Sequence, residues 1–151
     1  MAHVRHCHQA TGLRNAAQAL GTSQGALDRA VQHAKLREQF GRKLSQFQAI
    51  RHKLADMAVG VEVSRWLTYK SATEFDQGRI GPGFLSVTQL EVGRRLVAIV
   101  DEALQIFGGY GYMAEEAIEH YFRDAWAIGV ELGTEEEQKD SIAEIILGPH
   151  Q

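Results

Sequence analysis

Cysteine and proline are nearly missing from this chain. Among its 151 residues there is one cysteine, Cys7, and there are two prolines, Pro82 and Pro149. A single thiol excludes an internal disulfide framework and fits a reducing compartment. So few prolines let helices run long, and both fall where elements should break. No excess of one charge stands out either: 16 Lys and Arg face 19 Asp and Glu, with both signs spread along the sequence. Without a basic stripe, nucleic acid is not an expected partner. No run of about 18 apolar residues is present to span a bilayer, so no membrane contact is expected. The N-terminus also lacks the apolar core of a signal peptide. These absences point to a soluble, cytoplasmic protein with one core.

What the chain does have is helical periodicity. From about Thr11 to Gln39, Leu13, Ala16, Leu20, Leu27, Val31 and Ala34 recur at helical spacing, as on a helix face turned to a core. Phe40-Gly41-Arg42-Lys43 reads as a turn, with Gly41 ending the helix. Ser45 is the expected N-cap of a second helix, with Gln48 completing a weak capping box. Phe47, Ile50, Leu54, Met57 and Val61 carry that helix onward to about Gln77-Gly78. A third helix is expected from about Phe84 to Phe107, and a short one from about Ala114 to Arg123, opened by Glu115 and Glu116. Trp126 to Gly133 reads as a connection, and Thr134 as the cap of a last helix from about Glu135 to Leu147. The fold class is therefore all-α: an up-and-down four-helix bundle with an additional short helix and a C-terminal helix. Residues 1–10 are read as a flexible tail and 11–151 as the bundle.

Two motifs invite other readings. Gly109-Tyr-Gly-Tyr-Met-Ala114 fits the dinucleotide pattern G-x-G-x-x-G/A, and Leu96–Val100 before it could pass for a strand. Asp101-Glu102-Ala-Leu-Gln105 keeps the helical period between them, so no strand feeds the turn. His3, His6, Cys7 and His8 could ligate a transition metal, but their place in the tail argues against a metal site. His33 and His52, on predicted helices without obvious carboxylate partners, read as surface or interface residues.

The remaining strings occur in a telling order. Ala26-Leu-Asp28 precedes Arg37-Glu-Gln-Phe-Gly41, then come Phe47-Gln-Ala-Ile50, Leu54-Ala-Asp-Met57, Gln105-Ile-Phe-Gly-Gly-Tyr-Gly111 and Arg123-Asp-Ala125. In this order and spacing, from about Thr11 to Leu147, they resemble the C-terminal helical domain of the flavin-dependent acyl-CoA dehydrogenases. The resemblance implies FAD as cofactor, acyl-CoA as substrate, assembly into a dimer or tetramer through the bundle, and an electron-transfer partner. It implies that Arg37 approaches the flavin pyrophosphate of a neighbouring subunit, a task suited to a guanidinium. Phe40 would supply an apolar wall and Gln48 a polar contact. Gln105, Gly108 and Gly109 would meet the adenine side of the same neighbouring cofactor. Thr134 and Glu136 would contact the flavin of their own subunit.

One position departs from that pattern. The family oxidises an acyl thioester between its α and β carbons, with a carboxylate removing the α proton. In most members that carboxylate immediately precedes Gly-Thr, where this sequence has Leu132. A subset carries the base on the first helix, at about the position of Thr11, which is no base at neutral pH. Glu131 is the nearest candidate, displaced by one residue. A helical assembly module that has lost the base is the competing expectation.

Overall fold

The computed structural model describes residues 2–148; Pro149 and the His3 side chain, named above, lie outside what it describes. Five α-helices make up nearly all of it: α1 (Ala2–Leu36), α2 (Gln48–Asp76), α3 (Pro82–Phe107), α4 (Ile118–Glu131) and α5 (Glu135–Leu147). The first four form the bundle, and α5 packs on α3, which touches every other helix. Ala16, Ala19, Ala26, Ala30 and Ala34 of α1 are all fully buried. These side chains let α1 settle closely against the larger Val92, Leu96, Ile99, Val100 and Ile106 of α3. Between α2 and α3 the hydroxyls of Ser71 and Thr88 share a buried hydrogen bond of 2.7 Å.

Several boundaries differ from the sequence expectation, each for a local reason. Helix α1 starts at Ala2 and not near Thr11. Its first turns have partners, since His6 stacks on Phe75 of α2 and the Gln9 amide donates to the carbonyl of Ile80. At its other end α1 stops at Leu36, three residues before Gln39. There a two-stranded hairpin, β1 (Glu38–Gln39) with β2 (Arg42–Lys43), reverses the chain. Phe40 and Gly41 form its tip at φ 54° and 76°, the doubly positive turn that matches strand twist. Ser45 does not cap α2; Leu44–Gln46 is a 3-10 turn and Phe47 occupies the N-cap. Gln46 instead reaches back to accept a hydrogen bond from the Lys43 main chain.

The largest correction concerns α4. Glu115 and Glu116 lie in a 3-10 turn, Ala117 takes the left-handed conformation, and the helix begins only at Ile118. It then runs through Trp126 to Glu131, where a connection was expected. Ile118, Ala125 and Ile128 are buried on one face, so the helical period continues through that stretch. Helix α5 has the expected cap: the Thr134 hydroxyl accepts from the Glu137 main chain, and the Glu137 carboxylate accepts from the Thr134 main chain. Leu96–Val100 lies inside α3, so the glycine segment after it is no dinucleotide fold.

Candidate functional site

Two clefts flank α3. The first lies where α1 ends and α3 breaks at Gly108. Gly108 has φ 60° and ψ −136°, a conformation that side chains disfavour. A β-carbon at Gly108 or Gly109 would meet nothing within 4 Å, so both face open space. Gly111 is the opposite case, because its β-carbon would lie 2.8 Å from the carbonyl of Leu104. That close approach folds the segment back against α3.

The structure brings Arg37, Gln105, Gly108 and Gly109 together on this cleft, with His33, Gln39 and Tyr110 beside them. Arg37 is half-buried and makes no salt bridge among the described residues. Its guanidinium lies 4.7 Å from the centroid of the Tyr110 ring. A cation on an aromatic face keeps its in-plane N–H donors free. His33, expected as a surface or interface residue, lines the same cleft. It is half-buried, and its ring stacks on Phe107 at 4.1 Å and 21°. Its pKa is lowered by burial and, less strongly, by Arg37, while Glu116 pulls it the other way. Phe40 sits at the hairpin tip, 93% exposed, and Gln48 is exposed at the start of α2. Neither lines the cleft.

The second cleft opens between α3, the end of α4 and the start of α5. Leu90, Gly93, Val97, Trp126, Leu132, Gly133 and Thr134 line it, with Arg94 and Glu135 also in its wall. Leu132 is 3% exposed, and its Cδ1 would lie 3.2 Å from a β-carbon at Gly93. Glu131 and Glu136 are exposed and do not line this cleft, nor does Thr11. Among the described residues the one carboxylate in the lining is Glu135, held by Nε and Nη2 of Arg94 at 3.0 and 2.7 Å and by Lys139 at 2.8 Å. The Arg94 hydrogen bonds, then Lys139, lower its pKa to about 2. A carboxylate so strongly acidic is a poor proton acceptor at neutral pH.

Three side-chain amides fix the backbone here, and the sequence reading missed them. Asn15 donates to the carbonyl of Glu131 at 2.8 Å, while Gln89 and Gln138 donate to that of Leu132 at 3.2 and 2.8 Å. They come from α1, α3 and α5, so spacing along the chain carried no signal of them. His33 was within reach of sequence reasoning, because it lies one helical turn before Arg37. Gly93 and Phe107, near the middle of the two linings, are 14 residues apart on α3, so the clefts are centred about 20 Å apart at helical rise.

The architecture is that of an all-α bundle with a glycine-lined cleft towards one end of its central helix and an apolar cleft towards the other. The profile of the acyl-CoA dehydrogenase C-terminal domain matches residues 9–147, and the chain belongs to that family. It is 41% identical over 132 residues to a 3-(aryl)acrylate reductase of Clostridium sporogenes, covering 87% of this chain and 35% of the relative. It is 36% identical to the CarC subunit of the caffeyl-CoA reductase-Etf complex of Acetobacterium woodii, with 87% and 35% covered. The butyryl-CoA dehydrogenase of Megasphaera elsdenii superposes with a TM-score of 0.87 at 37% identity, covering 90% of this chain and 36% of that one. The chain thus spans about a third of the length of these relatives.

Proposed function

We propose that this chain forms part of the FAD site of an acyl-CoA dehydrogenase and helps to join its subunits. The cleft at Gly108 would meet the nucleotide half of a cofactor held mainly by a second copy. The cleft at Leu132 would flank the flavin and acyl-thioester end of the chain's own cofactor. The observation that carries this reading is the meeting of Arg37, without a carboxylate partner among the described residues, with Gln105 and the open glycines on one cleft. Arg37 would donate to the pyrophosphate. Gly108 and Gly109 would admit the main chain close to the adenosine, and Gln105 would add a polar contact. Phe40 would reach out as an apolar wall, with Gln48 beside it. At the other cleft Thr134 and Glu136 would contact the flavin. When bound, the flavin exchanges a hydride with the β carbon of the acyl chain. An electron-transfer partner and a cytoplasmic location complete the reading.

Glu131 remains the proposed proton acceptor, and to serve it must turn from solvent toward the cleft. The buried Leu132, and the lack among the described residues of an unpaired carboxylate in the lining, favour a second reading, an assembly module without the base. Titration with FAD, followed by flavin fluorescence, tests the first point. Arg37→Gln should weaken binding roughly tenfold or more, as expected for a lost charge-assisted contact. Equal binding by the variant would overturn the assignment of the cleft. In protein that turns over an acyl-CoA, Glu131→Gln should abolish oxidation; unchanged turnover removes Glu131 as the base.

A further inference from the structure

His33 occupies the nucleotide cleft with no hydrogen-bond or ion-pair partner for its ring among the described residues. It stands one turn before Arg37 on α1, and the Arg37 main-chain N–H donates to the carbonyl of His33 at 2.8 Å. Both side chains rest on aromatic rings that bracket the open glycines: His33 on Phe107, Arg37 on Tyr110. The imidazole is therefore held flat against the start of the glycine segment, with its nitrogens at the ring edge. We propose that His33 is a second anion-facing group of this cleft and takes up a proton when the cofactor's pyrophosphate binds, so that FAD is held more tightly as the pH falls. This inference rests on the nucleotide reading of the cleft.

The charges around the ring support it. Arg37 faces it from its own helix and Glu116 from the turn before α4. Tyr110 also borders the cleft, and Gln39 of the hairpin and Gln105 of α3 are uncharged. In the free protein, burial lowers the ring's pKa below the ordinary histidine value; Glu116 raises it in part, and Arg37, more weakly than Glu116, lowers it. A doubly charged pyrophosphate beside Arg37 would offset that repulsion and raise the ring's affinity for a proton. By linkage, proton uptake on binding means affinity that increases with falling pH.

FAD is a suitable probe, since its pyrophosphate keeps both charges between about pH 5.5 and 8, where histidine titrates. Flavin fluorescence titrations over that span, at constant ionic strength, should show affinity rising roughly three- to tenfold toward the acid end. His33→Gln should bind FAD with the weaker, high-pH affinity throughout. The His33 C2 proton, followed by NMR in unmodified protein with and without FAD, should titrate at higher pH in the complex. A midpoint unchanged or lowered by FAD, or an undiminished pH slope in His33→Gln, overturns the role of His33 while leaving the cleft assignment standing. A folded chain that binds no FAD at any pH overturns both.

Discussion

Phe40 combines a bulky side chain with a positive φ of 54° and 93% exposure. Neither burial nor backbone preference explains it, since a non-glycine residue in that region is strained by about 1–2 kcal/mol. Its ring touches Phe47 edge to face at 6.5 Å, which leaves most of it in solvent. Phe40→Asn should therefore leave stability unchanged or raise it by up to about 1 kcal/mol, because asparagine tolerates the left-handed conformation. The same variant should lose FAD affinity. Urea unfolding and flavin titration measure the two effects separately, and a clear loss of stability would assign Phe40 a structural role. Arg37 and the two open glycines were legible at this scale because rare residue types in fixed order carry information. The arrangement of Leu132 was not: its burial against Gly93 depends on a helix far away in sequence.

At the scale of elements, the end of α4 and the start of α5 are tied to α1 and α3 around Leu132. The buried Asn15 amide joins α1 to the Glu131 carbonyl, so Asn15→Ala should cost about 1–3 kcal/mol, read from the shift in urea midpoint. Helix α5 is tied to α3 by Arg94 and Glu135. The folded-state pKa of Glu135 lies near 2, below its ordinary 4.5, so the unfolded chain binds the proton more readily. The pair's contribution is thus fully present above about pH 4.5 and lost as pH falls through about 2. The difference in stability between the parent protein and Glu135→Gln should shrink through that window, and a difference constant with pH would count against the pair. Both groups are exposed, so the effect is small. Helix α5 was readable because Thr134 and Glu137 form a local capping box. Helix α4 was misplaced because its start depends on a left-handed alanine, and its length on packing against α1 and α3.

For the whole molecule, the proposed reading of two clefts about 20 Å apart along one helix has each copy serve two cofactors. Chains carrying Arg37→Gln and chains carrying Thr134→Ala should each bind FAD poorly. Refolded together in equal amounts as dimers, they should regain roughly one quarter of all sites, because each mixed pair has one site with both residues intact. A signal equal to the average of the separate variants would mean that both clefts serve the same cofactor. The bundle itself was legible because helical period and chain breaks are local. Which helices would touch was not, and α1 shows why: its buried face is built largely of alanines that look ordinary in a row of letters.

Those alanines also limit how this sequence can drift. At Ala16, Ala19, Ala26, Ala30 and Ala34 nearly any heavier replacement would wedge the two longest-packed rods apart, while positions on the opposite flank of the same helix are free to vary. A complete substitution map of α1 would then show a ruler of intolerant marks at helical intervals, set by thickness alone and independent of any ligand.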